Sequence, residues 1–343
     1  MAASLDIMSL YTDTQSLFVY SPYSDKISTK TLANKDSSKA IKTLSKAEVM
    51  YLYDSKTFTD SDLQLAKIVA KNIFCTVPML VKSLAHFTKY KTKNNTIAIM
   101  NEYASESARQ LLRGRLDVLV SANILNKYFF PVKKIRNGEE VSGNMGYYLV
   151  SPHGYNFLKR ILNFNDNYDE YLSITPLEDV FKYLTTSTIC QAFYEIPGFI
   201  DYNIDIPFYC KTQKKLTRIY GAVTLEKDDS KYKIIVEPVK FNFNQFRITQ
   251  QEWEKFIHEH LEVLKAYLDG LLVKQKQFRV LIACEDIEGL QNSAKLIYQY
   301  LKDYLPYIYF TMDAIAFSYG VDKTCIQMKE NGNLIPKVLD ILV

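Results

Sequence analysis

The sequence predicts a chain of mixed α and β structure arranged as two domains, and three observations carry that expectation. Its 343 residues exceed what one core usually organises. Helical periodicity and strand-like alternation succeed one another along most of the chain. Charge is also divided unevenly: Phe58 to Leu162 holds 15 Lys and Arg against 7 Asp and Glu, whereas the remainder holds 27 against 31, within a net charge of only +4.

Residues 1–57, rich in Ser, Thr and Lys, form an N-terminal extension in which alternation around Ser16 to Tyr20 suggests a hairpin. The first domain is expected over 58–164. Thr59 caps a helix with Asp60 and Asp62 in its first turn and Leu63, Ala66, Ile68, Val69 and Ile73 along one stripe. Thr76 and Pro78 open a second helix with Leu80, Val81, Leu84 and Phe87 at helical spacing. A third begins near Ser105, with Leu112, Leu116, Leu119 and Val120 inward and Arg109 and Arg113 outward. Asn123 can end it in a left-handed conformation. The segment ILNKYFFPVKKI then predicts a strand, NGEEVSGNMG a glycine-rich tip and YYLVS a second strand, before a helix introduced by Pro152 and Gly154. An acidic, Asn-rich linker over 165–177 follows.

Three helices and a strand-tip-strand hairpin predict a winged helix-turn-helix. A helix entering the major groove needs small or polar residues at its N-terminal end and cations on its outer face, and Ser105, Ser107, Arg109, Gln110 and Arg113 meet that need. Lys133, Lys134 and Arg136, at the base of the wing, are candidates for phosphate or minor-groove contact. The local basic surplus would attract phosphate through counterion release, so double-stranded DNA is the expected partner. Two plainer alternatives stand beside this: a solvated lysine-rich surface, and a winged helix that docks protein.

The second domain is expected over 178–343. A helix from Glu178 precedes three strand-like pieces, around Asp205 to Tyr209, Leu216 to Leu225 and Tyr232 to Phe241. The helix QQEWEKFIHEHLEVLKAYLDGLL, the strand FRVLIACE, the helix EGLQNSAKLIYQYLKDYL and a last strand, YIYFTMDAIAF, complete it. This order resembles the restriction-endonuclease-like PD-(D/E)xK fold, a mixed sheet flanked by helices. An active enzyme of that kind needs an acid on one strand and an acid-x-lysine on the next to hold a divalent metal. Here Glu237 and Lys240 are separated by two residues, which in a regular strand places them on opposite faces, and Ala222 and Val223 stand where the other acid belongs. A catalytically degenerate copy is therefore expected. The alternative is a magnesium-dependent nuclease in which a bulge at Pro238 restores a common face for Glu237 and Lys240.

Together, LLRGRLDVLVSANIL, KYFFPVKKI and YYLVSPHGYNFL, joined to such a C-terminal half, are similar to the replication-relaxation family of plasmid and mobile-element proteins. The resemblance spans most of residues 58–320. It implies a DNA-binding accessory or regulatory role in replication, mobilisation or transfer of a mobile element rather than a housekeeping enzyme. The leading expectation is a non-enzymatic, sequence-selective DNA-binding protein, with a homodimer expected because paired half-sites raise affinity and selectivity; the alternatives are the nuclease and a scaffold that docks a relaxase or coupling partner through the acidic second half.

Other chemistry is disfavoured. His258 and His260 lie in a helical run where residues two apart diverge by about 200°, and His86 and His153 have no partner at metal-ligand spacing, so no metal site is expected. The sequence contains no phosphate-cradling GxxxxGK[ST] or GxGxxG stretch. Five scattered cysteines predict reduced thiols, and the absence of a long apolar run or a basic-then-apolar start predicts a cytoplasmic protein without membrane contact.

Overall fold

The computed structural model describes residues 6–14, 16–18, 46–55, 58–92, 106–136, 139–162, 175–239, 250–272 and 277–342. The chain is a mixed α/β protein with two compact units. One comprises residues 23–180; the other joins residues 1–22 to 181–343.

Helix α1 (Ile7–Asp13) belongs to the unit that contains the C-terminal half. Tyr11 is fully buried, and its hydroxyl donates to the carbonyls of Thr324 (2.6 Å) and Phe310 (3.3 Å). Leu17 and Phe18 form a bend, and the rest of the expected hairpin lies outside the described residues. Helix α2 (Lys46–Asp54) opens the other unit.

Helix α3 (Asp60–Asn72) begins as its capping Thr predicts: the Thr59 hydroxyl accepts from the Asp62 amide while the Asp62 carboxylate accepts from the Thr59 amide (2.7 Å). A short strand, β1 (Cys75–Thr76), leads into α4 (Val77–Thr92). Helix α5 (Glu106–Ser121) buries Leu112, Leu116 and Leu119. Asn123 ends it at φ 57°, its amide and that of Ile124 donating to the carbonyls of Val120 and Leu119 (both 2.9 Å).

Strands β2 (Leu125–Arg136) and β3 (Glu139–Val150) form an antiparallel hairpin whose register runs from Leu125 opposite Val150 to Arg136 opposite Glu139. Most of NGEEVSGNMG is thus strand rather than glycine-rich tip. Strand β1 pairs with β3, giving the order β1-β3-β2. Phe74, Tyr128 and Phe130 gather around Tyr147, with Tyr128 stacked on it at 5.5 Å. Helix α6 (Pro152–Leu162) follows; its start approaches the backbone so closely that a Cβ on Gly154 would stand 2.0 Å from the Ile124 carbonyl oxygen.

Helix α7 (Leu177–Ala192) belongs to the other unit from Phe181 onward, and there every residue is buried, polar ones included. Strands β4 (Phe199–Cys210), β5 (Lys215–Lys227) and β6 (Ser230–Val239) form an antiparallel meander, with Asp228 and Asp229 both at positive φ in the β5–β6 turn. Helix α8 (Gln250–Leu272) crosses to β7 (Phe278–Cys284), parallel to β6, and α9 (Ile287–Tyr300) crosses to β8 (Ile308–Thr311), parallel to β7. Two cores flank the sheet. Ile235, Val239, Val280 and Ile282 pack with α8 and α9, while Ile234, Val236, Leu281 and Ala283 pack with α7.

The last predicted strand is corrected after Thr311. Residues 313–319 form helix α10 (Asp313–Tyr319), because the buried Asp313 carboxylate accepts from the amides of Ala314 (2.7 Å) and Leu17 (3.0 Å) and the hydroxyls of Ser16 (2.8 Å) and Thr185 (3.0 Å). Strands β9 (Ile326–Met328) and β10 (Leu334–Pro336) then extend the sheet to seven strands among the described residues, in the order β10-β9-β8-β7-β6-β5-β4. Among the described residues, no helix is long and apolar enough to cross a membrane.

Candidate nucleic-acid interface

Helix α5 is fixed from three directions, which determines what its fourth face presents. Leu112, Leu116 and Leu119 enter the core. Arg115 turns back to α3, where its guanidinium grips the buried Asp62 carboxylate through Nε (2.8 Å) and Nη2. Burial pushes the Asp62 carboxyl up, but the Arg115 guanidinium and the Thr59 amide and hydroxyl outweigh it and hold it below the usual carboxylate range. On the hairpin side Asp117 accepts from Lys127 Nζ (3.1 Å), and that ammonium lies over the rings of Phe129 and Tyr148 at 5.3 and 5.6 Å.

The remaining face exposes Arg109, Gln110, Arg113 and Leu111, the last 71% exposed. Gly114 lies among them, and a Cβ there would meet no neighbour within 4 Å. The surface carries two guanidiniums, an amide able to donate and accept, and one apolar side chain. These are the groups that can bond phosphate and base edges and touch a methyl. Leu111 gives no signal in the sequence, because an exposed leucine departs from the core stripe without forming a pattern of its own.

Of the other predicted residues, Ser107 lies on the first turn of α5, and Ser105 lies outside the described residues. Lys133, Lys134 and Arg136 stand at the outer end of the β2–β3 hairpin, not at its base, opposite Ser142, Val141 and Glu139. The longer strands move them outward.

Glu237 lies on the opposite unit's β6, 1% exposed, on the face shared with Ile235 and Val239 and directed at α8. Its Oε1 is 2.8 Å from His260 Nε2, an approach without hydrogen-bond geometry, and neither carboxylate oxygen accepts a hydrogen bond among the described residues. The β6–β7 register continues unshifted through Glu237, Pro238 and Val239, so β6 carries no bulge there against β7. Lys240 lies outside the described residues. Ala222 and Val223 are buried at the centre of β5. Among the described residues, no group of three His, Cys, Asp or Glu side chains is arranged to hold a metal ion. His258 and His260 do diverge on α8, His258 facing Glu262 (3.7 Å) and Tyr300.

Compared with protein-family models, with curated proteins and with solved structures, the chain matches none.

Proposed function

We propose that this chain is a sequence-selective, non-enzymatic DNA-binding protein in which residues 58–164, within the 23–180 unit, are a winged helix-turn-helix. The supporting observation is the order helix, short strand, helix, helix, hairpin, with sheet order β1-β3-β2 and the third helix presenting Arg109, Gln110 and Arg113 outward. In this account α5 enters the major groove, Arg109 and Arg113 take phosphate or guanine edges, and Gln110 takes adenine. Lys133, Lys134 and Arg136 at the outer end of the hairpin reach the flanking backbone.

The other unit is proposed as a degenerate PD-(D/E)xK-like domain, on the order α7, β4-β5-β6, α8, β7, α9, β8. The same strand order favours a second reading, a magnesium-dependent nuclease using Glu237 and Lys240, against which the burial of Glu237 beside His260 counts. The resemblance to the replication-relaxation family agrees with both halves and suggests service to a plasmid or other mobile element, with a relaxase or other transfer protein and a second copy of the chain as companions.

Selection of ligands from a randomised duplex library by the full-length protein tests the proposal. A recovered consensus is expected, and Gln110→Ala should relax one position of it, a specific base contact being worth about 1–3 kcal/mol. Recovery of unrelated sequences would argue against sequence-selective reading. Cleavage of the duplex with magnesium, abolished in Glu237→Ala, would transfer the assignment to the nuclease.

A further inference from the structure

The β4–β5 hairpin extends past the sheet. Among the described residues, strand β6 pairs with β5 from Gly221 to Lys227, whereas β4 and β5 continue together to Cys210 opposite Lys215. The root is fixed: Asp205, at φ 61°, accepts from the Tyr183 hydroxyl (2.8 Å) and from Arg218 Nη1 (3.1 Å). One face of the ribbon is also held, since Phe208 packs on Tyr267 of α8 with ring centroids 4.9 Å apart. Beyond that anchorage lies a two-stranded ribbon whose tip turns through Lys214 at φ 52°.

The chemistry of this outer end is one-sided. Residues 206–219 contain Lys211, Lys214, Lys215 and Arg218 and no carboxylate. The three lysines are exposed, and none forms an ion pair among the described residues. Tyr209 and Leu216, register partners across the ribbon, are 60% and 70% exposed beside them. Solvation alone accounts for lysines at a hairpin tip but not for a tyrosine and a leucine displayed together.

We infer that the outer end of the β4–β5 ribbon is a second duplex-DNA contact: Lys211, Lys214 and Lys215 neutralise backbone phosphates while Tyr209 and Leu216 lie against the groove wall. Three exposed cations with no carboxylate among them complement a polyanion, and a two-stranded ribbon is among the elements the major groove admits. Thr217, and Thr212 beyond its contact with Cys210 Sγ (3.1 Å), add hydroxyl groups that suit sugar and phosphate better than a lipid interior. The inference rests on the proposed DNA-binding role but on a different unit from α5.

The test is a fluorescence-anisotropy titration of the full-length protein on a random duplex across a salt series. Four proteins are compared: wild type, Lys211→Ala/Lys214→Ala/Lys215→Ala, Arg109→Ala/Arg113→Ala, and Tyr209→Ala, with unchanged circular dichroism required of each. Removing one lysine–phosphate pairing lowers the slope of log affinity against log salt by about 0.9, so the lysine triple should lower it by about 2 to 3. Tyr209→Ala should weaken binding severalfold with the slope unchanged. A slope change in the triple variant with none in the arginine variant supports the ribbon and removes the α5 proposal. An unchanged triple beside a weakened arginine variant overturns the ribbon and leaves α5 standing. Absence of duplex binding by wild type overturns both. Loss of binding to phosphatidylserine vesicles in the triple, with DNA affinity intact, overturns the ribbon in favour of a lipid surface.

Discussion

At Asp62 one buried carboxylate serves two structures at once. It closes the capping box of α3 with Thr59 and receives the guanidinium of Arg115 from α5, so the outer face of α5 is set from the start of another helix. Asp62 is buried but Arg115 is one-third exposed, so losing the pair, with solvent screening allowed for, costs about 1–2 kcal/mol, to which the missing cap adds about 1 kcal/mol. Asp62→Ala should therefore lower hydrogen-exchange protection across residues 60–72 and 106–121 together; a decrease confined to α3 would show that the pair does not couple them. The sign of the pH effect follows from the depressed folded pKa of Asp62. The stabilisation is complete above the unfolded carboxyl's value near 4 and fades as pH falls through the folded value. Wild-type protection in these helices should decline in that acid window, and Asp62→Ala should lack that component of the decline.

At the scale of elements, the meander of the larger sheet depends on a close approach at Gly221. A Cβ there would stand 2.5 Å from Thr186 Cγ2, on a buried, β-branched side chain with little room to move. Gly221→Ala is expected to destabilise this unit by about 1–3 kcal/mol, and Thr186→Ser, which removes the offending methyl, should restore much of it. Additive destabilisation in the double variant, followed by exchange in β5 and β6, would contradict that geometry. Legibility in the sequence follows element length and pattern. Helix α8 coincides with its predicted run, and α3 starts at the expected cap, because long apolar stripes and a Thr-x-x-Asp start are local signals. Strands β1, β9 and β10 are two or three residues long, too short for alternation to register. The β9–β10 connection still leaves a trace in Asn331-Gly332, with Gly332 at φ 82°. Helix α10 reads as strand in the sequence because its apolar residues continue those of β8, and what ends the strand is Asp313, whose partners Ser16 and Thr185 are distant along the chain.

For the whole molecule, the charge asymmetry of the sequence suggests two domains, but no local pattern announces which of the two compact units takes the N-terminal residues. Tyr11 reaches Phe310 and Thr324 across some three hundred residues, a pairing that no local pattern announces. The candidate interface is partly legible in the same way. Arg109, Gln110 and Arg113 fall outside the leucine stripe by spacing alone, while the diversion of Arg115 into Asp62, the exposure of Leu111 and the basic tip of the β4–β5 ribbon depend on tertiary placement. Glu237 shows the limit of motif reading: its spacing from Lys240 raises the question of catalysis, and its burial against His260 is visible only in the folded chain. The most direct measurement is binding of the full-length protein to its own upstream DNA and to a random duplex at two salt concentrations, with Arg109→Ala/Arg113→Ala in parallel. A preference for the upstream duplex that persists at the higher salt and falls at least tenfold in the arginine variant is the predicted result. Equal, salt-labile binding of both duplexes, indifferent to the two substitutions, would contradict it.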